Sequence, residues 1–173
     1  MLRKLLMVSG PVVLALGSGS AAGEDFVARL SPGQEVPALS STGSGRFKVH
    51  VDEEKKTISF ELSYENLVLA EPPLFAHIHV GQRGVNGGVS VFLCGPPENA
   101  AQTCPTAPAT VVGELIPANI IGPVPQGIDP ATDVDNGFHE LVALLRSGRT
   151  YANVHSSIFP GGEIRGQIRT VSR

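Results

Sequence analysis

Two stretches of this chain alternate with a strict period of two. Phe47, Val49 and Val51 alternate with Arg46, Lys48 and His50, and Ile58, Phe60, Leu62 and Tyr64 alternate with Thr57, Ser59, Glu61 and Ser63. Successive side chains of a strand point to opposite faces, so each run has one apolar and one polar face. A helix would scatter the same residues around its circumference. The acidic-then-basic segment Asp52–Lys56 between the runs reads as a turn, and the whole as a hairpin. One hairpin cannot bury its own apolar face, so the chain needs further sheet to cover it.

The rest of the sequence supplies that sheet. Asp25–Leu30 reads as a first strand, with Gln34–Val36 as a candidate extension. Leu74–Val80, Val89–Leu93, Thr110–Leu115, Thr150–His155 and Glu163–Arg169 read as further strands, the last two joined by a turn at Pro160–Gly162. Only Phe138–Ser147 has helical period: Phe138, Leu141, Val142 and Leu145 lie at i, i+3, i+4 and i+7, and Gly148 is a natural stop. Gly95–Pro108 and Pro117–Gly137 are broken by proline and glycine and read as loops. The expectation is an all-β fold, an antiparallel β-sandwich or barrel of about eight strands with one short helix.

The N-terminus reads differently. Arg3 and Lys4 precede an apolar stretch, Leu5–Leu16, followed by the small-residue segment Gly17–Ala22. Ser20-Ala21-Ala22 fits the small-x-small rule for secretory cleavage. The stretch is shorter than the ~20 residues of a membrane-spanning helix. Residues 1–22 are therefore expected to be a signal peptide and 23–173 a single domain. The product is expected to be secreted or periplasmic, with no stable membrane insertion after cleavage. The whole chain carries 13 basic and 16 acidic residues, and removing Arg3 and Lys4 leaves 11 basic residues. With no basic surplus to displace counterions, nucleic-acid binding is excluded as a function class. In an oxidising compartment the only cysteines, Cys94 and Cys104, are expected to form a disulfide.

Chemistry concentrates in the histidines. In Leu74–Val80 the apolar set is Leu74, Ala76, Ile78 and Val80, so Phe75, His77 and His79 share the other face. Near the C-terminus Ala152 and Val154 oppose Tyr151, Asn153 and His155, and Glu163, Arg165 and Gln167 oppose Ile164 and Ile168. If these strands are neighbours, their polar residues form one outward patch. His-x-His on a strand brings two imidazoles close together. A third, His155, completes a set that suits Cu(II) or Zn(II) and leaves a coordination position open. Ligating imidazoles need the other ring nitrogen held. Glu163, Asn153 or a backbone group would serve, with Glu163 the first choice. His50 and His139 are read as surface residues. The glycine-rich Gln82–Gly88 precedes no helix, so it is a turn rather than a phosphate cradle.

Four segments in order carry a resemblance: LSPGQEVP (Leu30–Pro37), AHIHVG (Ala76–Gly81) with Gly84 and Gly87, GRTYANVH (Gly148–His155) and PGGEIRGQI (Pro160–Ile168). Together they resemble the CHRD domain, the module named for chordin and also found alone in secreted bacterial proteins. The resemblance covers about residues 26–170 and implies an all-β fold, an extracellular or periplasmic setting and a binding role with an unidentified partner. A weaker similarity is to the copper/zinc superoxide dismutase sandwich, where a strand His-x-His supplies copper ligands, as His77 and His79 would here. Three readings follow: a binding module with a three-histidine metal site, a mononuclear copper redox protein or dismutase-like enzyme on the same histidines, and a structural domain without metal. N-terminal sequencing of the exported protein is expected to begin at Gly23. Met1 on membrane-bound protein would contradict the cleavage reading.

Overall fold

The computed structural model describes residues 23–98 and 100–171. Residues 1–22, expected from the sequence to be a signal peptide, lie outside them. The elements are β1 (Glu24–Leu30), β2 (Ser44–Asp52), β3 (Thr57–Glu65), β4 (Phe75–Val80), β5 (Gly88–Cys94), β6 (Ala109–Leu115), α1 (Val134–Arg146), β7 (Thr150–His155), β8 (Ile164–Gln167) and β9 (Arg169–Thr170). They form two antiparallel sheets, ordered β6-β3-β2-β1-β9 and β5-β4-β7-β8. The architecture is a sandwich.

The hairpin that alternation predicted is the centre of the first sheet. Phe47 pairs with Leu62, Val49 with Phe60 and Val51 with Ile58, so their apolar faces coincide. β1 adds Phe26 opposite Val49 and Ala28 opposite Phe47. All of these side chains are buried, and they meet Ala76, Ile78, Val91, Ala152, Val154 and Ile164 from the second sheet in one core. Strand alternation is therefore the mechanism of sheet-on-sheet packing. The helical stripe Phe138, Leu141, Val142 and Leu145 is fully buried in the same core.

Three boundaries differ from the sequence reading. Gln34–Val36 does not extend β1. Pro32–Gln34 is a 3-10 turn, because Pro32 and Gly33 break the strand and Gln34 N–H donates to the Ser31 carbonyl. The helix starts at Val134, earlier than Phe138. Asp133 caps it by accepting from the Asp135 and Asn136 amides, so a polar first turn without apolar period is helical all the same. Gly148 does follow the helix, with a left-handed φ of 65°. The last strand is two: β8 belongs to the second sheet and β9 to the first. Between them Ile168 is buried and donates its N–H to the Thr150 carbonyl. One strand in sequence thus laces the two layers, and the described residues hold nine strands, in keeping with the expected sandwich of about eight.

Cys94, at the end of β5, is bonded to Cys104, with a Cα–Cα distance of 5.0 Å. Both are buried. The bridge fixes the start of the long connection to β6, and the Tyr64 hydroxyl donates to the Pro105 carbonyl beyond it. Closing so small a loop is worth about 2–3 kcal/mol in the chain-entropy account. The Cys94→Ala/Cys104→Ala double variant is expected to lose about that much in urea unfolding, with its strand content unchanged by circular dichroism. A loss below about 0.5 kcal/mol would show that the bridge adds little to native packing.

Candidate metal centre

β4 and β7 lie side by side in the middle of the second sheet, with Phe75 opposite His155, His77 opposite Asn153 and His79 opposite Tyr151. β8 adds Gln167 beside Tyr151 and Arg165 beside Asn153. The strands are thus the neighbours that a shared polar face requires, and that face looks away from the core.

This face is not the outward patch expected from sequence. His77, His79 and His155 are only 4%, 7% and 6% exposed, and Tyr151, Asn153, Glu163 and Arg165 are also buried. Connections fold over the sheet and cover it. The Gly87 amide donates to the Tyr151 hydroxyl, Asn86 Nδ2 donates to the Val36 carbonyl, and Gln167 Nε2 donates to the Gly81 carbonyl. Arg165 donates to Asn86 Oδ1 and the Val85 carbonyl, which frees its guanidinium plane to lie 3.9 Å over the Tyr151 ring. His79 stacks parallel to Tyr151 with centroids 4.7 Å apart. Alternation cannot distinguish an exposed polar face from one roofed by loops.

Three ligand nitrogens, one from each of His77, His79 and His155, all lie within 4.8 Å of one another. His79 Nδ1 is 3.0 Å from the Gly87 carbonyl, and His155 Nδ1 is 3.0 Å from the Pro160 carbonyl. A carbonyl only accepts, so both Nδ1 atoms carry the proton and both Nε2 atoms present lone pairs. His155 Nε2 is buried without a hydrogen-bond partner. His79 Nε2 is 3.2 Å from His77 Nδ1. Two nitrogens bound tetrahedrally to one zinc at ~2.0–2.1 Å lie about 3.4 Å apart, close to that separation. Transfer of the His77 proton from Nδ1 to Nε2 would free a third lone pair.

Gly87 is required for this arrangement. A Cβ there would sit 1.6 Å from the Val80 carbonyl oxygen, so only glycine lets the loop approach β4 closely enough to meet His79. The role assigned first to Glu163 falls to backbone carbonyls. Glu163 Oε1 instead accepts from the Ser41 hydroxyl and the Val68 amide, tying two connections to the start of β8. Asn153 faces His77 in register but makes no hydrogen bond to a histidine ring through its buried Oδ1. His50 and His139 are exposed, as expected. His50 pairs with Asp25 at 2.8 Å, and His139 lies 3.9 Å from Glu53. Sequence reasoning missed two features of the site. Phe75 and Phe92 wall the His77 ring, with centroids 4.7 and 4.4 Å away. Glu35 is buried beneath the cover. Phe75 was legible on the histidine face, but Phe92 and Glu35 arrive from distant segments.

The sequence profile of the CHRD domain matches residues 26–168. The chain belongs to the CHRD family. No curated protein and no solved structure matches it. The four quoted CHRD segments converge in space: LSPGQEVP supplies Glu35 and Val36 to the cover, AHIHVG and GRTYANVH supply the histidines, and PGGEIRGQI supplies Pro160 and Arg165.

Burial, reinforced by the neighbouring His155 and His79 rings, lowers the pKa of His77 to about 2. Burial lowers His79 to about 4, opposed by the Gly87 carbonyl and helped by His155 and Arg165. Burial also lowers His155, against the Pro160 carbonyl. All three are neutral at pH 7, the form that binds metal. The unfolded chain takes up protons near the ordinary histidine value of ~6.5, before the folded one does. Their contribution to stability is therefore complete above that pH and is lost as pH falls toward 4, at up to about 1.4 kcal/mol per unit per histidine. Urea midpoints measured from pH 8 to pH 4 are expected to drop through this window, and less steeply for His79→Gln. A flat profile between pH 7 and 5 would contradict the burial argument.

Proposed function

We propose that this CHRD chain is an exported binding module that holds one Cu(II) or Zn(II) ion on His77, His79 and His155. The observation that carries the reading is the convergence of three imidazole nitrogens within 4.8 Å, with two rings already held in the ligating tautomer by backbone carbonyls and one lone pair buried unsatisfied. An unsatisfied buried nitrogen costs about 1–3 kcal/mol, and an ion would remove that cost. Thiolate is absent from the set, since the two cysteines are bonded to each other, so the borderline ions that favour imidazole lead.

Export is supported by the CHRD membership, the disulfide and the character of segment 1–22. Among the described residues no helix is long and apolar enough to cross a membrane. The copper redox or dismutase-like reading uses the same histidines, but it needs a substrate to reach an ion whose three ligands are each over nine-tenths buried. A binding module, whose partner is an unidentified extracellular or periplasmic molecule, places no such demand on access.

Calorimetric titration of the exported protein at pH 7.5 is expected to give about one Cu(II) or Zn(II) per chain. Binding is abolished in His77→Ala/His79→Ala and in His155→Ala, and retained in His50→Ala and His139→Ala. Equal binding by wild type and the double variant would eliminate the site, as would metal-free protein on elemental analysis of material from its native compartment.

A further inference from the structure

On the face of the first sheet that turns away from the core, register sets opposite charges against each other. His50 stands against Asp25, 2.8 Å apart, and Lys48 against Glu61, 2.7 Å apart. The next row departs from that pattern. Arg29 of β1 stands directly against Arg46 of β2, followed by Ser63 of β3 and Thr110 of β6. Arg169 of β9 lies opposite Val27 and so diagonal to Arg29. The three arginines are exposed, and none has an ion-pair partner among the described residues. Like charges directly opposite in an antiparallel pair destabilise it, and an anion lying between them would reverse the sign. Arg46, Lys48 and Arg169 surround Arg29 in register with no carboxylate among them, and only Lys48 is neutralised, by Glu61.

Beyond Arg46 the surface becomes hydroxylic. A hollow of about 530 Å³ is bordered by Arg46 and lined by Ser44, Ser63, Glu65, Pro108 and Thr110. Ser63 Oγ donates to the Arg46 carbonyl at 3.4 Å and Ser44 Oγ to Glu65 Oε1 at 3.3 Å, long contacts that leave both hydroxyls able to accept. The row thus reads two guanidiniums and then two hydroxyls, over three strand spacings of about 4.8 Å, or about 14 Å. Guanidinium forks match the oxygens of a phosphate. Glu65, opposite Ser44 on the hydroxyl side, accepts from a hydroxyl and repels an anion, which sets the polarity of a bound molecule. A cation would be repelled by Arg29 and Arg46, and an apolar molecule would leave the hydroxyls unmet.

We infer that this row binds a phosphorylated sugar, its phosphate between Arg29 and Arg46 and its hydroxyls against Ser63, Thr110 and Glu65. Arg169 strengthens the positive field around the phosphate. The site lies on the other sheet from the three-histidine cluster and does not depend on any ion there, so its test uses metal-free protein.

Glucose 6-phosphate is titrated into the folded exported protein at pH 7.5 and low ionic strength, followed by calorimetry and by amide chemical shifts. Wild type is expected to bind, with shifts centred on Arg46, Ser63 and Thr110, and to release the ligand as salt is added. Inorganic phosphate is expected to bind several fold more weakly, and glucose not at all. Arg29→Gln and Arg46→Gln, both at exposed positions that spare the core, are each expected to weaken binding by about tenfold or more. Lys48→Gln, on the same face but paired with Glu61, is expected to stay within about twofold of wild type. Thr110→Val is expected to weaken glucose 6-phosphate by a few fold and leave inorganic phosphate unchanged. No binding by folded wild type at tens of millimolar overturns the inference. So does equal binding by folded Arg46→Gln, or inorganic phosphate binding as tightly as the sugar phosphate.

Discussion

The pairing of β4 with β7 is the constraint on which the rest of this structure depends. A single register sets Ala76 against Val154 and Ile78 against Ala152 on the core side, and Phe75 against His155, His77 against Asn153 and His79 against Tyr151 on the other. A slip of one residue would send the imidazoles into the apolar core and the aliphatic groups under the polar cover. Hydrophobic burial therefore fixes the register, and the register fixes the histidines. The site's geometry is stabilised by residues that never touch it.

The cover raises the stakes of that arrangement. Burying three imidazoles, a guanidinium and two carboxylates on the outside of a sheet is costly unless each finds a partner. Most do. Backbone carbonyls hold two ring nitrogens, the Arg165 guanidinium is bonded and stacked, and Glu163 accepts from two connections. Six buried side-chain atoms among the described residues have no hydrogen-bond partner: Glu35 Oε1, Ser90 Oγ, Thr150 Oγ1, Asn153 Oδ1, His155 Nε2 and Glu163 Oε2. Of these, His155 Nε2 is the one that lies within the cluster of three imidazoles. The Ile158–Gly162 turn serves that cluster, since the Pro160 carbonyl orients His155.

Much of this was legible in the sequence. Period two placed Ile58, Phe60 and Leu62 in the core, put His77 and His79 on one face of their strand and put His155 on the polar face of its own, because a strand's alternation is local and does not need its partners to be known. The CHRD segments were recognisable for the same reason, as short runs of fixed spacing. Legibility ended where the chain is neither periodic nor local. Gln34–Val36 reads as a strand extension, yet the 3-10 turn at Pro32–Gln34 ends β1 and Glu35 is buried just beyond it. The first turn of α1 escaped notice because its helical signal is the Asp133 cap rather than an apolar stripe. Glu163 was a reasonable partner for an imidazole by composition, yet its carboxylate serves Ser41 and Val68, more than ninety residues away in the chain.

The sequence by itself determined the strands, their apolar faces, the pairing of the only two cysteines and the identity of the three histidines. Each follows from residue type and spacing along a short stretch of backbone. Only the tertiary structure decided that the histidine face is covered rather than exposed. It also decided that backbone carbonyls of Gly87 and Pro160 hold the rings, and that the final strand crosses from one sheet to the other at Ile168. These outcomes depend on how loops distant in sequence pack over the sheet. That packing follows from the three-dimensional closure of hydrogen bonds and close contacts, which no local pattern encodes.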